Sequence, residues 1–184
     1  MNFFIKLGVL GLIGIVTLII MAPYRLKRVT TFLNPWSDPL KSGWQVIQSL
    51  YAIGSGGLFG LGLGESNQKY LYLSEPQNDF IFAIIAEELG FVGCVLVIML
   101  FAIMIWRGIL IAMKAPDMFG SLIAVGITTL IAIQVIINIA VVTSSMPVTG
   151  MPLPFFSYGG TSLMILLCEV GVLLNISRAT NSST

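Results

Sequence analysis

Four long apolar runs dominate the chain, at residues 3–22, 80–106, 118–142 and 160–177. Each falls within or above the roughly 17–25 residues that a helix needs to cross the hydrocarbon core of a bilayer. The pattern therefore predicts an all-α polytopic membrane protein with four transmembrane helices. Polar positions gather between the runs in three places: a large loop over residues 23–79, a short charged turn around residues 107–117, and a proline- and glycine-rich loop over residues 143–159. Residues 178–184 form a polar tail expected in the cytoplasm. The first run, flanked by Lys6, has the outline of a secretory signal. It exceeds the usual apolar core of about 7–15 residues and no small-x-small cleavage site follows, which predicts a retained helix.

The large loop is itself patterned. It opens on Arg25, Lys27 and Arg28 at a helix end, which charge bias alone would place in the cytoplasm. The alternative is an anion site, because Arg25 and Arg28 at i, i+3 project together and can hold a phosphate. Asn34-Pro35-Trp36-Ser37-Asp38-Pro39 supplies turn chemistry. Residues 43–53 then read as a short helix with Trp44, Ile47, Gln48 and Tyr51 on one face and Gln45, Ser49 and Ala52 on another. At that length it suits an interfacial or re-entrant position rather than a span. Residues 54–64 carry glycine at six of eleven positions. They match neither a P-loop nor a dinucleotide fingerprint, so nucleotide binding is not expected. Gly56, Gly60 and Gly64 recur every four residues, a spacing that permits close backbone packing, and irregular backbone at membrane depth belongs in protein or on a cavity wall.

The loop closes on Leu71-Tyr72-Leu73-Ser74-Glu75-Pro76-Gln77-Asn78-Asp79. Pro76 suits a first helical position, with Glu75 or Ser74 as cap and Asp79 about one turn inside, near the positive end of the helix dipole. A carboxylate there is well placed to act as a base; the alternative is that it only supports the helix start. Lys69 brings a positive charge near it in sequence. Glu87 and Glu88 follow inside the second run. Glu87 lies roughly 12 Å from Asp79 along a helix, too far to share a proton, and Glu88 points to the opposite face. Ionisable groups inside a span suggest function, with interhelical hydrogen bonding as the alternative.

Farther along, Arg107 and Lys114 look like cytoplasmic anchors, and Asp117 is placed to cap the third helix. Gln134 and Asn138 at i, i+4 predict interhelical hydrogen bonds. The loop from Ser144 to Gly160 has prolines at 147, 152 and 154, which forbid regular helix. Being apolar, it is expected to fold back over a cavity against the large loop. Glu169 sits mid-run in the last span.

Composition narrows the chemistry. The 184 residues are 57% hydrophobic and 9% charged, with a mean hydropathy of +0.97. With no histidine, His-based catalysis and ligation are excluded. Cys94 and Cys168 both lie within spans without metal or redox spacing, and read as packing residues. A net charge of +1 gives no global field for nucleic acid, and no nucleic-acid partner is expected. Carboxylates are competent to hold Mg²⁺ or Mn²⁺, but no ligand cluster is spelled out.

Three stretches together carry a resemblance: Gly43-Trp44-Gln45-Val46-Ile47-Gln48-Ser49-Leu50-Tyr51-Ala52-Ile53-Gly54-Ser55-Gly56-Gly57; Asn78-Asp79-Phe80-Ile81-Phe82-Ala83 with Glu87-Glu88-Leu89-Gly90; and Pro152-Leu153-Pro154-Phe155-Phe156-Ser157-Tyr158-Gly159-Gly160. In order and spacing they resemble the SEDS family of FtsW, RodA and SpoVE, over about residues 24–178. The resemblance implies a peptidoglycan glycosyltransferase that polymerises lipid II at the outer face of the bacterial cytoplasmic membrane beside a class B penicillin-binding protein. It also implies that these four helices are the C-terminal part of a ten-helix fold, and that the large loop is extracellular. Asp79 matches the family's essential acid. Arg25, Arg28 and Lys69 are the candidates for the pyrophosphate, and Gln45, Gln48, Ser49, Glu75, Glu87, Ser157 and Tyr158 complete the substrate-binding set, with membrane lipids around the spans. Wording around Asn34-Pro35-Trp36 and Glu75-Pro76-Gln77-Asn78 leans towards FtsW and SpoVE. The chain departs from the family pattern at Ser74, where proline is usual, at Ser144-Ser145, where Gly-Leu is frequent, and at Thr161, where serine is common. Two other functions remain open on the residues alone: a lipid-precursor flippase, and a non-catalytic fragment that binds partner helices.

Overall fold

All regular structure among the described residues is helical. The computed structural model describes residues 30–40, 43–66 and 78–182, together with Lys6, Gly8 and Arg28. Apart from Lys6 and Gly8, the expected first span at residues 3–22 lies outside that set, as do Arg25, Lys69 and Glu75. Among the described residues four α-helices are bounded, in chain order: α1 Trp44–Gly56, α2 Ile81–Lys114, α3 Met118–Val142 and α4 Gly160–Ser182. By length and composition α2, α3 and α4 are each able to cross a membrane, which makes this a multi-pass membrane protein. The chain divides into two compact units, Met1–Ile47 and Gln48–Thr184, with the division inside α1.

In the first unit the expected turn takes the form of a 3-10 helix, Pro35–Ser37. The Asn34 carbonyl accepts from both the Ser37 amide (3.1 Å) and the Ser37 hydroxyl (2.7 Å). The chain then doubles back so that the Gly43 N–H reaches the Asp38 carbonyl at 3.0 Å. Gly43 has no room for a side chain, since a Cβ there would overlap the Pro35 carbonyl oxygen.

The second unit is organised by a break. At Gly90 the helix α2 leaves helical geometry for one residue, with φ 68° and ψ −167°, a conformation that glycine adopts without steric penalty. A break orphans carbonyls before it and amides after it, and buried backbone groups must be paired. The glycine-rich loop after α1 pairs them. Leu61 and Gly62 N–H groups donate to the carbonyls of Glu87 and Glu88, both at 3.0 Å, while Phe91 and Val92 N–H groups donate to those of Gly57 (2.9 Å) and Leu58 (3.2 Å). The approach is backbone against backbone: a Cβ on Gly56 would overlap the Ala86 carbonyl, and one on Gly60 the Glu88 carbonyl. The close backbone packing that the fourfold glycine spacing permits is thus made at Gly56 and Gly60 and not at Gly64. Gly56 closes α1, Gly60 and Gly64 lie in loop with φ of 79° and 86°, and a Cβ on Gly64 would meet nothing within 4 Å.

The break also separates two environments. Residues 81–89 are largely buried, with Phe82, Ala83, Ile84, Ala86 and Glu87 inside. Residues 91–114 run about 36 Å at 1.5 Å per residue, enough to cross a bilayer alone, and bury only a stripe of Val97, Phe101, Gly108 and Ala112. That stripe faces Gly120, Ala124, Thr128, Ile131 and Val135 of α3. Small residues let the two backbones approach: a Cβ on Gly108 would overlap the Thr128 side chain. Asp117 caps α3 as expected, its Oδ2 accepting the Gly120 N–H at 2.9 Å. The far end of α3 closes with Ser144 N–H on the Val141 carbonyl (3.0 Å) and Ser145 N–H on the Ala140 carbonyl (2.7 Å). This is the Schellman pattern with its left-handed residue at Ser144, φ 54°. In α4 the buried positions are Leu166 and Leu173, one every two turns.

Candidate functional site

Asp79 lies in a turn, Asn78 to Phe80, ahead of α2. The helix begins at Ile81 with Phe80 as its uncapped N-cap, which corrects the expectation that Asp79 stands a turn inside. Phe80, 1% exposed, anchors the turn in the core, and its carbonyl takes the Ala83 N–H at 3.0 Å. The helical ladder therefore starts after Asp79. The half-buried carboxylate is still beside the positive end of a helix.

Because the Asn78 and Asp79 carbonyls fall outside that ladder, other elements pair them. The Asn138 Nδ2 of α3 donates to the Asp79 carbonyl at 3.0 Å and to that of Met151 at 2.8 Å. The Ser157 hydroxyl donates to the Asn78 carbonyl at 2.5 Å and accepts the Leu153 N–H at 2.7 Å. Gly150 forms the wall beside the acid: a Cβ there would lie 3.4 Å from Asp79 Oδ2, and its φ is +75°. The proline-rich loop folds back, burying Leu153 at 1% exposure and setting Phe156 against Phe101 in a tilted pair with ring centroids 6.0 Å apart. Phe155, a bulky residue at φ 66°, is held in a sparsely populated region of the kind found where a loop's shape is over-determined.

The remaining predicted site residues separate. Ser49 is fully buried and its hydroxyl donates to the Val142 carbonyl at 3.1 Å. Glu87, 1% exposed, accepts a hydrogen bond from Ser66 through Oε2. Both have internal partners where a substrate-facing position was expected, because the glycine-rich loop and the end of α3 close over them. Gln48 is buried and Gln45 half-buried, while Tyr158 is 78% exposed. Arg28, half-buried, belongs to the first unit. Glu88 keeps one buried carboxylate oxygen, Oε1, without a hydrogen-bond partner among the described residues. Among the described residues no group of three His, Cys, Asp or Glu side chains gathers around a metal-sized space. Cys94 and Cys168 are free thiols.

Sequence reasoning missed two residues of this site. Asn138 was expected to bond between helices, yet it bonds two loops; Gly150 gave no sign beyond its place in a proline-rich run.

The sequence model of a cell cycle protein family, that of FtsW, RodA and SpoVE, matches residues 1–182. The chain is 63% identical over 175 residues to stage V sporulation protein E of Bacillus subtilis, covering 95% of this chain and 48% of that one. It is 51% identical to a protein of Trichlorobacter lovleyi named as a probable peptidoglycan glycosyltransferase FtsW, over 95% of this chain and 46% of the relative. Among solved structures it is similar to a chain from a study of how a peptidoglycan synthase complex coordinates polymerisation and crosslinking, with a TM-score of 0.74 and 33% identity over 96% of this chain and 48% of that one. It is also similar to a mutant of the rod shape determining protein RodA of Thermus thermophilus, with a TM-score of 0.55 and 35% identity over 71% and 39%. The chain spans about half the length of the curated relatives it matches.

Proposed function

This chain belongs to the FtsW, RodA and SpoVE family of cell cycle proteins, and on that premise we propose that it carries the general base of a peptidoglycan glycosyltransferase, Asp79, acting on lipid II at the outer face of the bacterial cytoplasmic membrane. One observation supports this above the others. A half-buried carboxylate stands at the mouth of a membrane-crossing helix, with the peptide units on either side of its turn tied down by Asn138 and Ser157.

The chemistry follows from the groups present. The Asp79 carboxylate takes the proton of an acceptor sugar hydroxyl. The freed oxygen forms a bond to the anomeric carbon of the donor sugar, and the bond from that carbon to the lipid pyrophosphate breaks, the electron pair leaving with the phosphate. One base and an in-line departure invert the anomeric centre without a covalent enzyme intermediate. Fixed cations stabilise the leaving pyrophosphate, a role we assign to Arg25, Arg28 and Lys69. Tyr158, exposed next to the acid's loop, is offered to the substrate's lipid or sugar. The partner in strand synthesis is a class B penicillin-binding protein, and the large loop with Asp79 faces outward.

The direct experiment replaces the matching half of the Bacillus subtilis relative with this chain and supplies the purified chimera, with its penicillin-binding partner, with lipid II. Glycan strands are expected; their absence from a folded chimera contradicts the assignment.

A second reading, a lipid-precursor transporter, is favoured by the break in α2 beside Glu87 and Glu88, since discontinuous helices carry sites in transporters. It predicts movement of labelled precursor across liposomes that persists when Asp79 is replaced. The transferase reading predicts loss of strand synthesis on that replacement.

A further inference from the structure

Asn138 is a buried amide, 1% exposed, in an otherwise largely apolar stripe of α3. Burying an amide is unfavourable unless it is hydrogen-bonded, so its partners explain its presence. Both are carbonyl oxygens, which only accept. The NH2 group must therefore face Asp79 and Met151, and Oδ1 is turned away from them. That Oδ1 is buried and has no hydrogen-bond partner among the described residues. Leucine, with the same branched arrangement of side-chain heavy atoms, would leave no orphaned oxygen in the stripe. What leucine would lack is the donor whose hydrogen bonds the two carbonyls accept.

Those carbonyls bracket the acid. The Asp79 carbonyl belongs to the residue that carries the carboxylate, and it has no place in the ladder of α2, because the Ala83 N–H goes to Phe80. The Met151 carbonyl follows Gly150, the residue against which Asp79 Oδ2 lies. One NH2 group thus fixes both the main chain that bears the carboxylate and the wall beside it, joining two loops that are far apart in sequence. Ser157 adds a second tie on the neighbouring Asn78 carbonyl.

We propose that Asn138 is a positioning residue for Asp79: its amide holds the turn of the acid against the proline-rich loop so that the carboxylate meets the acceptor hydroxyl at the distance proton transfer needs. Asn138 itself does not touch substrate. The proposal rests on the reading of Asp79 as the general base. Displacements of about 1 Å in a reacting group lower rates by roughly 100-fold, so loss of this amide acts on turnover and leaves substrate binding in place.

The test uses the full-length chimera with its partner, comparing Asn138→Leu, Asn138→Asp, Ser157→Ala and Asp79→Asn by kcat and KM per folded molecule and by pH profile. Asn138→Leu and Asn138→Asp, which both lack the NH2 group, are expected to lower kcat by about 10- to 100-fold, with KM within twofold and the acidic limb of the kcat profile displaced. Ser157→Ala is expected to change kcat in the same direction by less. Unchanged kcat and pH profile in folded Asn138→Leu or Asn138→Asp would overturn the proposal. If neither Asn138 variant folds, an unchanged kcat in Ser157→Ala overturns it, and a lowered kcat at constant KM supports it. Asp79→Asn separates the two levels. If that variant works at the wild-type rate, the base assignment falls with everything built on it; if it is inactive while the Asn138 variants are unaffected, only the positioning role falls.

Discussion

Gly60 and Gly90 exclude side chains from one another: a Cβ on Gly60 would stand 2.7 Å from the Gly90 nitrogen, and one on Gly90 would overlap the Gly60 nitrogen. Both also have φ near +70 to +80°. Replacing Gly90 with alanine combines a left-handed penalty with a backbone collision, and is expected to lower stability by roughly 2–4 kcal/mol or to prevent folding. Gly54→Ala is the control. That position is helical with nothing within 4 Å of a Cβ, and a gain of about 0.5–1 kcal/mol is expected. Thermal unfolding followed by size-exclusion chromatography in detergent separates the two; equal melting temperatures would contradict the lock between loop and helix.

Ser144 occupies the left-handed position that closes α3, at φ 54°. A side chain in that conformation costs about 1–2 kcal/mol. Ser144→Gly is therefore expected to raise the melting temperature, with a stability gain of about 1 kcal/mol. A lower melting temperature would show that the serine hydroxyl contributes more than its backbone conformation costs.

The hydrogen bond from Ser66 to the buried Glu87 carboxyl ties the end of the glycine-rich loop to the first half of α2. Breaking it from either side leaves a buried polar group with one partner fewer. Ser66→Ala is expected to destabilise by about 1–3 kcal/mol. In a double-mutant cycle with Glu87→Gln, the two changes are expected to be non-additive by at least about 0.5 kcal/mol. Strict additivity would mean that the pair contributes nothing jointly.

The contact at Gly108 brings α2 and α3 together where a side chain would run into Thr128. Gly108→Val is expected to push the helices apart and to cost about 1–3 kcal/mol, as overpacking does, while Gly126→Ala, with open space around it, is expected to be neutral or stabilising. Melting temperatures measured side by side check this.

Much of the architecture was legible in the runs of apolar residues, because a span needs only length and low polarity, and the Asp117 cap was legible from its position before an apolar run. The break in α2 was not. A lone glycine inside a long apolar run is ordinarily tolerated within a helix, and Gly90 breaks it only because residues 57–62, close in space but not in sequence, supply the replacement hydrogen bonds. The start of α2 was misplaced for a similar reason: Pro76 is a good first helical residue locally, yet the burial of Phe80 sets where the ladder begins. Asp79 was singled out by its chemistry and its motif. Asn138 was noticed as polar but given the wrong partner, since periodicity shows which face a residue occupies and not which loop folds onto that face.

The central claim is that the Asp79 carboxylate takes the proton from the acceptor hydroxyl, and the most direct measurement is glycan-strand synthesis from purified lipid II by the full-length chimera and its Asp79→Asn variant at equal amounts of folded protein. The variant is expected to lose at least about 100-fold in rate, as removal of a general base does, while retaining the wild-type melting temperature. Strand synthesis by Asp79→Asn at the wild-type rate would contradict the claim.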